Sequence, residues 1–239
     1  MEQHPAAGRQ QRSCLTGKTK KAGNIKMKIM VMSDLESNYI WDHYQPGMFK
    51  GIDLILSAGD LNSRYLTFVE SMSNMPLLYI HGNHDGRYSE IPPEGCQCIE
   101  DQIYMHDGVR ILGLGGSMRY SAGKHQYTEK DMQRRIRRLK LKLMRTGGFD
   151  ILLAHSPVAG FHDTDDPDDP CHHGFEALGE LLDKYQPKYF IHGHVHMNYG
   201  LRTPRLSLRQ NTVVINAFRT YTFDYDDPAV LEEAGKITE

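Results

Sequence analysis

Seven short apolar runs recur along the chain, and they constrain its fold more than any other feature of the sequence. Each run has the length and the β-branched content of a buried strand. Stretches with helical spacing lie between several of them, as in Leu66, Val69 and Ser73, and again over 175–185. Alternating strands and helices predict an α/β domain. The runs lie at 27–32, 53–60, 76–85, 109–116, 150–157, 188–196 and 212–218.

The clearest helix is predicted to begin near Thr128, which forms a capping-box-like start with Asp131, and to end at Gly147 and Gly148. Its apolar face carries Met132, Ile136, Leu139 and Leu143. The opposite face is basic, and we interpret it as the solvated side of an amphipathic helix. A nucleic-acid surface is the less favoured interpretation, because no other basic stripe supports it. The basic residues are Arg134, Arg135, Arg138, Lys142 and Arg145.

Length and composition predict one globular domain, for which we expect residues 26–239. Residues 1–25 are polar, basic and without periodicity, which is typical of a disordered N-terminal extension. No apolar run approaches the roughly 18 residues of a membrane-spanning helix, and the first residues lack the apolar core of a secretory signal. A cytoplasmic protein without a membrane partner is therefore predicted. The net charge of −2 gives no general electrostatic case for binding nucleic acid.

The four cysteines are too few and too unevenly spaced for a disulfide framework, so we expect reduced thiols. Cys96 and Cys98 with Cys171, which stands beside His172 and His173, would make only a weak zinc pattern, because C-x-C with one distant partner is not a usual zinc spacing.

Five of the apolar runs stop abruptly at Asp, Asn or His. Ligands of parallel α/β sheets bind beyond the carboxyl ends of the strands, so these side chains are expected to meet in one crevice. Their oxygen and nitrogen donors suit Mn, Fe or Zn, and they are numerous enough for two ions. Taken singly, each of these residues is explained equally well as a packed histidine or as a helix cap. We interpret His192 as a packed, hydrogen-bonded histidine. The site candidates are Asp34, Glu36, Asp60, Asn83, His84, Asp85, His155, His194 and His196.

In order and spacing these blocks resemble the calcineurin-like metallophosphoesterases, whose pattern is D-x-H, G-D, G-N-H-D or G-N-H-E, H, and G-H-x-H. The resemblance covers residues 28 to about 220. It implies a four-layer αββα sandwich, in which two mixed β-sheets are flanked by helices. It also implies that Asp60 bridges two divalent ions. The coordination of one ion would be completed by Asp34, Glu36 and His196. That of the other ion would be completed by Asn83, His155 and His194.

The same resemblance implies hydrolysis of a phosphodiester or phosphomonoester by a hydroxide that bridges the metals. His84 would assist the leaving oxygen, and Asp85 would fix the ring of His84. Arg87 and Asn62 are weaker candidates for substrate binding. The chain has no G-x-S-x-G motif that would indicate a serine nucleophile.

The first block departs from the family pattern, because Glu36 stands where the family has histidine. Glutamate can still bind a metal and favours a harder ion, so Mn is expected first, with Fe or Zn as alternatives. The rival interpretation is a non-catalytic scaffold that keeps the fold and a degenerate metal site. The block after Gly59 also lacks the G-D-x-x-D-R form of protein serine/threonine phosphatases, and the short chain is more similar to small bacterial-type phosphodiesterases. The acidic segment 161–173 is predicted to be a loop, with a slight preference for a position at the rim of the site.

Overall fold

The computed structural model describes residues 25–164, 169–197 and 204–236. The predicted N-terminal extension lies outside these residues except for Ile25, so its disorder stays a prediction. The strands of the described chain are β1 (Lys28–Ser33), β2 (Leu54–Ser57), β3 (Leu77–Tyr79), β4 (Gln97–Cys98), β5 (Gln102–His106), β6 (Val109–Leu114), β7 (Ser117–Met118), β8 (Gln126–Tyr127), β9 (Ile151–Ala154), β10 (Tyr189–His192), β11 (Leu206–Arg209), β12 (Thr212–Asn216) and β13 (Arg219–Asp224). The α-helices are α1 (Asn38–Trp41), α2 (Ser63–Ser73), α3 (Glu129–Thr146), α4 (Glu176–Tyr185) and α5 (Pro228–Gly235).

Two mixed sheets form the centre of the molecule. The first has the order β13-β1-β2-β3-β4, and the second has the order β11-β12-β10-β9-β6-β5. Pairing is parallel inside each sheet and antiparallel at β13, β11 and β5. All seven predicted apolar runs form strands, namely β1, β2, β3, β6, β9, β10 and β12.

Both sheets are apolar on both faces, as strands covered on two sides must be. Alternate side chains such as Val31 from β1 and Ile191 from β10 meet between the sheets, where both are fully buried. The opposite face of the first sheet packs against α2, and that of the second packs against α3 and α4. The predicted four-layer αββα sandwich is confirmed.

Helix α3 has the predicted ends. Thr128 and Asp131 form a complete capping box, and Gly147 closes the helix in the left-handed conformation with φ of 68°. The prediction that Arg135 lies on the solvated face is wrong, because its side chain is only 7% exposed and pairs with Glu100 and Asp101. Glu100, whose side chain is 18% exposed, and Asp101 supply the charge that makes this burial possible. No helix within the described residues has the length and apolar character needed to cross a membrane.

Candidate metal centre

The predicted ligands lie at the carboxyl ends of strands from both sheets. The first sheet contributes the residues after β1, β2 and β3, and the second contributes those after β9 and β10. Most of them line one cavity of about 500 Å³. Its walls are Asp34, Asp60, Asn83, His84, Tyr120, Cys171, His172, His194 and His196.

The backbone at these strand ends is tightly turned. Asp34, Asp60 and His194 all have left-handed φ values, of 66°, 56° and 67°. Gly59 has φ of 96°, and a Cβ atom there would lie 2.3 Å from the backbone nitrogen of Gly82. The loops after β2 and β3 therefore touch through backbone atoms, which brings Asp60 close to the loop that carries Asn83.

One group of donors has the spacing of a metal site. One ligand atom each from Asp60, His155 and His194 lies within 4.8 Å of the others. Nε2 of His155 is 3.3 Å from Oδ2 of Asp60 and 3.0 Å from Oδ1 of Asn83. Two imidazoles, a carboxylate and an amide oxygen suit a divalent transition metal.

Hydrogen bonds leave one ring nitrogen of each histidine for a metal. Nδ1 of His155 donates to the carbonyl of Ala58 at 2.7 Å, and Nε2 of His194 donates to the carbonyl of Cys171 at 2.5 Å. Backbone carbonyls of this kind fix the tautomer of metal-binding histidines. The described residues therefore fit a metal ion at this position.

A second group lies beside the first. Nε2 of His196 is 3.6 Å from Oδ1 of Asp34, and the Asp34 side chain is only 1% exposed. Both carboxylate oxygens of Asp34 accept from the backbone N–H of His194 at 3.0 Å, which joins β1 to β10 across the two sheets.

The protonation of the cluster reflects its crowding. Burial alone would raise the pKa of Asp60, but the charge and hydrogen bond of His155 hold this pKa to about 2. Burial likewise opposes a charge on His155, yet Asp60 and Asp34 raise the pKa of His155 to about 9. For His194, burial and the neighbouring His155 lower the pKa to about 3. The cluster thus binds a proton between its acids and imidazoles, where a cation would replace it.

Glu36 is not among the residues that line this cavity, and its Oε1 accepts from the backbone N–H of Asn62 at 3.1 Å. In an extended chain Asp34 and Glu36 would point to the same side. The chain is not extended here, because Asp34 is left-handed and the N–H of Leu35 donates to the carbonyl of Ser33 in a tight turn. A metal-binding role for Glu36 stays a prediction and needs another geometric basis.

His84 is the exposed member of the site, with 75% of its side chain accessible and Nε2 4.0 Å from Oδ2 of Asp60. Asp85 does not hold the ring of His84, so that interpretation is wrong. Its Oδ2 accepts from the backbone N–H groups of Asp60 at 2.8 Å and Gly82 at 2.7 Å. The two residues begin a 3₁₀ turn, where successive side chains point in different directions. Asp85 therefore clamps the two ligand loops together.

The rim of the cavity includes residues that the sequence did not identify. The hydroxyl of Tyr120 accepts from Nδ2 of Asn83 at 3.0 Å, which turns Oδ1 of Asn83 toward His155. No motif marks Tyr120 in the sequence. Cys171 and His172 also line the cavity, so the described end of segment 161–173 lies at the rim.

Asp169, Cys171 and His172 form a second local donor cluster. Cys96 and Cys98 instead pack beneath the outer face of the first sheet, so the weak zinc pattern does not assemble among the described residues. His192 is packed and hydrogen-bonded as interpreted, with Nε2 2.8 Å from Nδ1 of His162.

Asn62 and Arg87 line a neighbouring cavity of about 470 Å³. This second cavity shares Asp60 and His84 with the cavity of the metal-ligand cluster. The two weaker substrate-binding candidates therefore lie together and adjacent to the centre.

The four-layer fold and the mixed oxygen and nitrogen donors between its sheets define the class of metal-dependent phosphoesterases. A family model described as calcineurin-like phosphoesterase matches residues 27–198, more than half of the chain, and the protein belongs to that family. It is accordingly a hydrolase of phosphate ester bonds.

Two solved structures share the fold at low sequence identity. One is TT1561 of Thermus thermophilus, with a TM-score of 0.53 and 13% identity over 84% of this chain and 100% of that chain. The other is phosphopantetheinyl hydrolase from Mycobacterium tuberculosis, with a TM-score of 0.57 and 12% identity over 82% of this chain and 90% of that chain. No curated protein matches the sequence.

Proposed function

We propose that the protein hydrolyses a phosphodiester or phosphomonoester with water as the nucleophile, at a centre that holds two divalent ions. The observation that carries the proposal is the donor cluster of Asp60, His155 and His194 within 4.8 Å, with Asp34 and His196 beside it. Mn is the first expected metal, with Fe or Zn as alternatives. The cytoplasmic location inferred from the sequence stays a prediction.

Asp60 would contact both ions. The coordination of one ion would be completed by Asn83, His155 and His194. That of the other ion would be completed by Asp34, Glu36 and His196. Such ions, when bound, supply the Lewis acidity that activates water and neutralises phosphoryl oxygens.

The protein's own groups orient the ester and handle the leaving oxygen. Asp85 holds the Asp60 and Gly82 backbones together, and Tyr120 sets the direction of the Asn83 amide. His84 reaches into the open part of the cavity and would donate a proton or hydrogen bond to the leaving oxygen.

The test is the His84→Ala variant, assayed on aryl phosphate monoesters and diesters with its metal content measured in parallel. We expect turnover to fall by about 10²- to 10⁴-fold, the usual effect of losing one acid or base catalyst. Metal content should not change, because Asn83 and not His84 is the proposed ligand.

His43→Ala is the matched control, since His43 is an exposed histidine outside both cavities. It should retain full turnover. A fully active His84→Ala variant would refute the role of His84.

A further inference from the structure

The cavity beside the metal-ligand cluster has the features of a binding site in its own right. Its volume of about 470 Å³ is within the range of small-molecule pockets. Leu61, Tyr88 and Ile91 form an apolar part of its wall, while Arg64 and Arg87 bring two guanidinium groups to the same cavity. It therefore combines an apolar surface with positive charge.

Neither guanidinium is used by the fold. Among the described residues, no hydrogen bond or ion pair engages the guanidinium of Arg64 or Arg87. Arg110 and Arg209 show the contrast, because their guanidiniums pair with Asp150 and Asp183 at 2.6 Å and 3.0 Å. Arg64 and Arg87 are exposed and available to a ligand.

The acids that line this cavity do not neutralise the two arginines. Oδ2 of Asp85 accepts two backbone N–H groups, and Oδ1 of Asp60 accepts the backbone N–H of His84 at 2.7 Å. Both carboxylates thus face the ligand loops and the metal-ligand cluster. Within the described residues neither carboxylate pairs with Arg64 or Arg87, so both guanidiniums are available to an incoming anion.

The position of His84 determines which part of a substrate would enter this cavity. Its side chain lines this cavity and also the cavity of the metal-ligand cluster. Under the proposed function, His84 assists the leaving oxygen, so the leaving group departs past His84 toward Arg64 and Arg87.

We propose that the substrate is a phosphate ester whose leaving group carries a second anion, and that Arg64 and Arg87 bind this anion. The inference rests on the proposed function, because His84 orients the leaving group only if the ester is cleaved at the centre. An apolar body between Ile91 and Tyr88 would join the two charges. The second anion is a carboxylate or a phosphate-like group, since a guanidinium pairs with both.

The test compares 3-carboxyphenyl phosphate with 3-carbamoylphenyl phosphate, which have the same size and differ in the charge of the leaving group. Both are offered as monoesters and as methyl diesters to the Mn-loaded protein. A 3-phosphonophenyl ester is added to distinguish a phosphate-like anion from a carboxylate. The readout is the ratio of kcat/KM for the charged ester to that for the carbamoyl ester.

We expect the wild type to prefer a charged ester. Arg64→Gln and Arg87→Gln should each reduce the preference by about threefold to tenfold, as expected for charge-assisted bonds at an exposed site. Any difference in leaving-group acidity is the same for wild type and variants, so it cancels. Arg137→Gln is the matched control, because Arg137 is an exposed arginine that lines a groove between α3 and α4. It should leave the preference unchanged.

Two results would overturn the proposal. Both variants could keep the wild-type ratio and the wild-type rates. Alternatively, the two variants could slow the charged and carbamoyl esters equally, which would mean that the guanidiniums contact the scissile phosphoryl group. If the wild type hydrolyses none of the esters, the proposed function fails on its own. Calorimetric binding of the same intact esters then tests the anion site alone. Equal affinity for the charged and neutral esters would reject the anion site as well.

Discussion

At the scale of single residues, the proposed role of Glu36 is to help hold the first ion. One oxygen of its carboxylate accepts the N–H of Asn62 at 3.1 Å, and the second oxygen would bind the metal. We predict that Glu36→Ala loses about one ion per chain and most activity, because that ion would lose one of its proposed carboxylate ligands. Glu36→His should keep two ions and shift the preference from Mn toward Zn or Fe. Metal stoichiometry and rate under several metals measure both effects.

Glu36→Gln separates this role from a purely structural one. Glutamine keeps an acceptor for the N–H of Asn62 but lacks the charge that binds a metal. If Glu36→Gln and Glu36→Ala both retain wild-type stoichiometry and rate, Glu36 only supports the start of α2.

The sequence predicted which residues come together in the donor cluster where a polar residue ends a buried strand, as at Asp60 and His155. The strand fixes the position of such a residue, so the pattern is sufficient. It failed where direction depends on local backbone torsion. The left-handed φ of Asp34 breaks the extended geometry that would point Glu36 to the same side as Asp34. The 3₁₀ turn after His84 turns Asp85 toward the backbone.

At the scale of elements, a buried ion pair joins α3 to the loop that carries Asn83. Arg135 from α3 pairs with Glu100, and Glu100 also accepts the backbone N–H groups of His81 at 3.1 Å and Gly115 at 3.0 Å. Burial alone would raise the pKa of Glu100, but the hydrogen bonds of His81 and the charge of Arg135 lower this pKa to about 2.

This pair gives a prediction for stability against pH. A lowered carboxylate pKa contributes stability that is fully present above the unfolded value of about 4.5 and is lost as pH falls toward 2. The contribution is at most about 3 kcal/mol. Glu100→Gln should therefore be less stable than the wild type at pH 7, and the difference should shrink between pH 4.5 and pH 2. Denaturant unfolding across this range measures it.

Glu90→Gln is the control for this experiment, because Glu90 is an exposed glutamate. It should unfold in parallel with the wild type at every pH. A constant difference between Glu100→Gln and the wild type would contradict the prediction.

Elements with a strong apolar periodicity were predictable from the sequence, and the edge strands were not. Helix α3 was evident from its cap and apolar stripe, yet the same pattern could not show that Arg135 is buried, since its partners lie in a distant part of the chain. Strand β13 was missed because its residues are mostly exposed or half-buried, which leaves little apolar signal.

At the scale of the whole molecule, the donor cluster spans the two sheets. Asp34 and Asp60 come from the first sheet, and His155 and His194 come from the second. A metal bound here would link the sheets and stabilise only the folded chain.

We predict that Mn raises the thermal midpoint of chelator-treated protein. At free metal of 100 times Kd, one ion contributes about 2.7 kcal/mol. For a chain of this size the shift is on the order of 5 to 10 °C. Asp60→Asn should lose most of the shift, because Asp60 is the proposed ligand of both ions. Calorimetry with elemental analysis measures midpoint and stoichiometry together, and a metal content near zero that added Mn does not restore would refute the metal centre.

The close contact of the loops after β2 and β3 limits how this sequence can diverge. A side chain at Gly59 would collide with the Gly82 backbone, and one at Gly82 would lie 2.1 Å from Oδ1 of Asp60. Substitution at either glycine must therefore displace Asp60, so a substitution at Gly59 or Gly82 disrupts the site. Over the aligned parts, this chain differs from its two structural neighbours at almost nine residues in ten and still shares their fold.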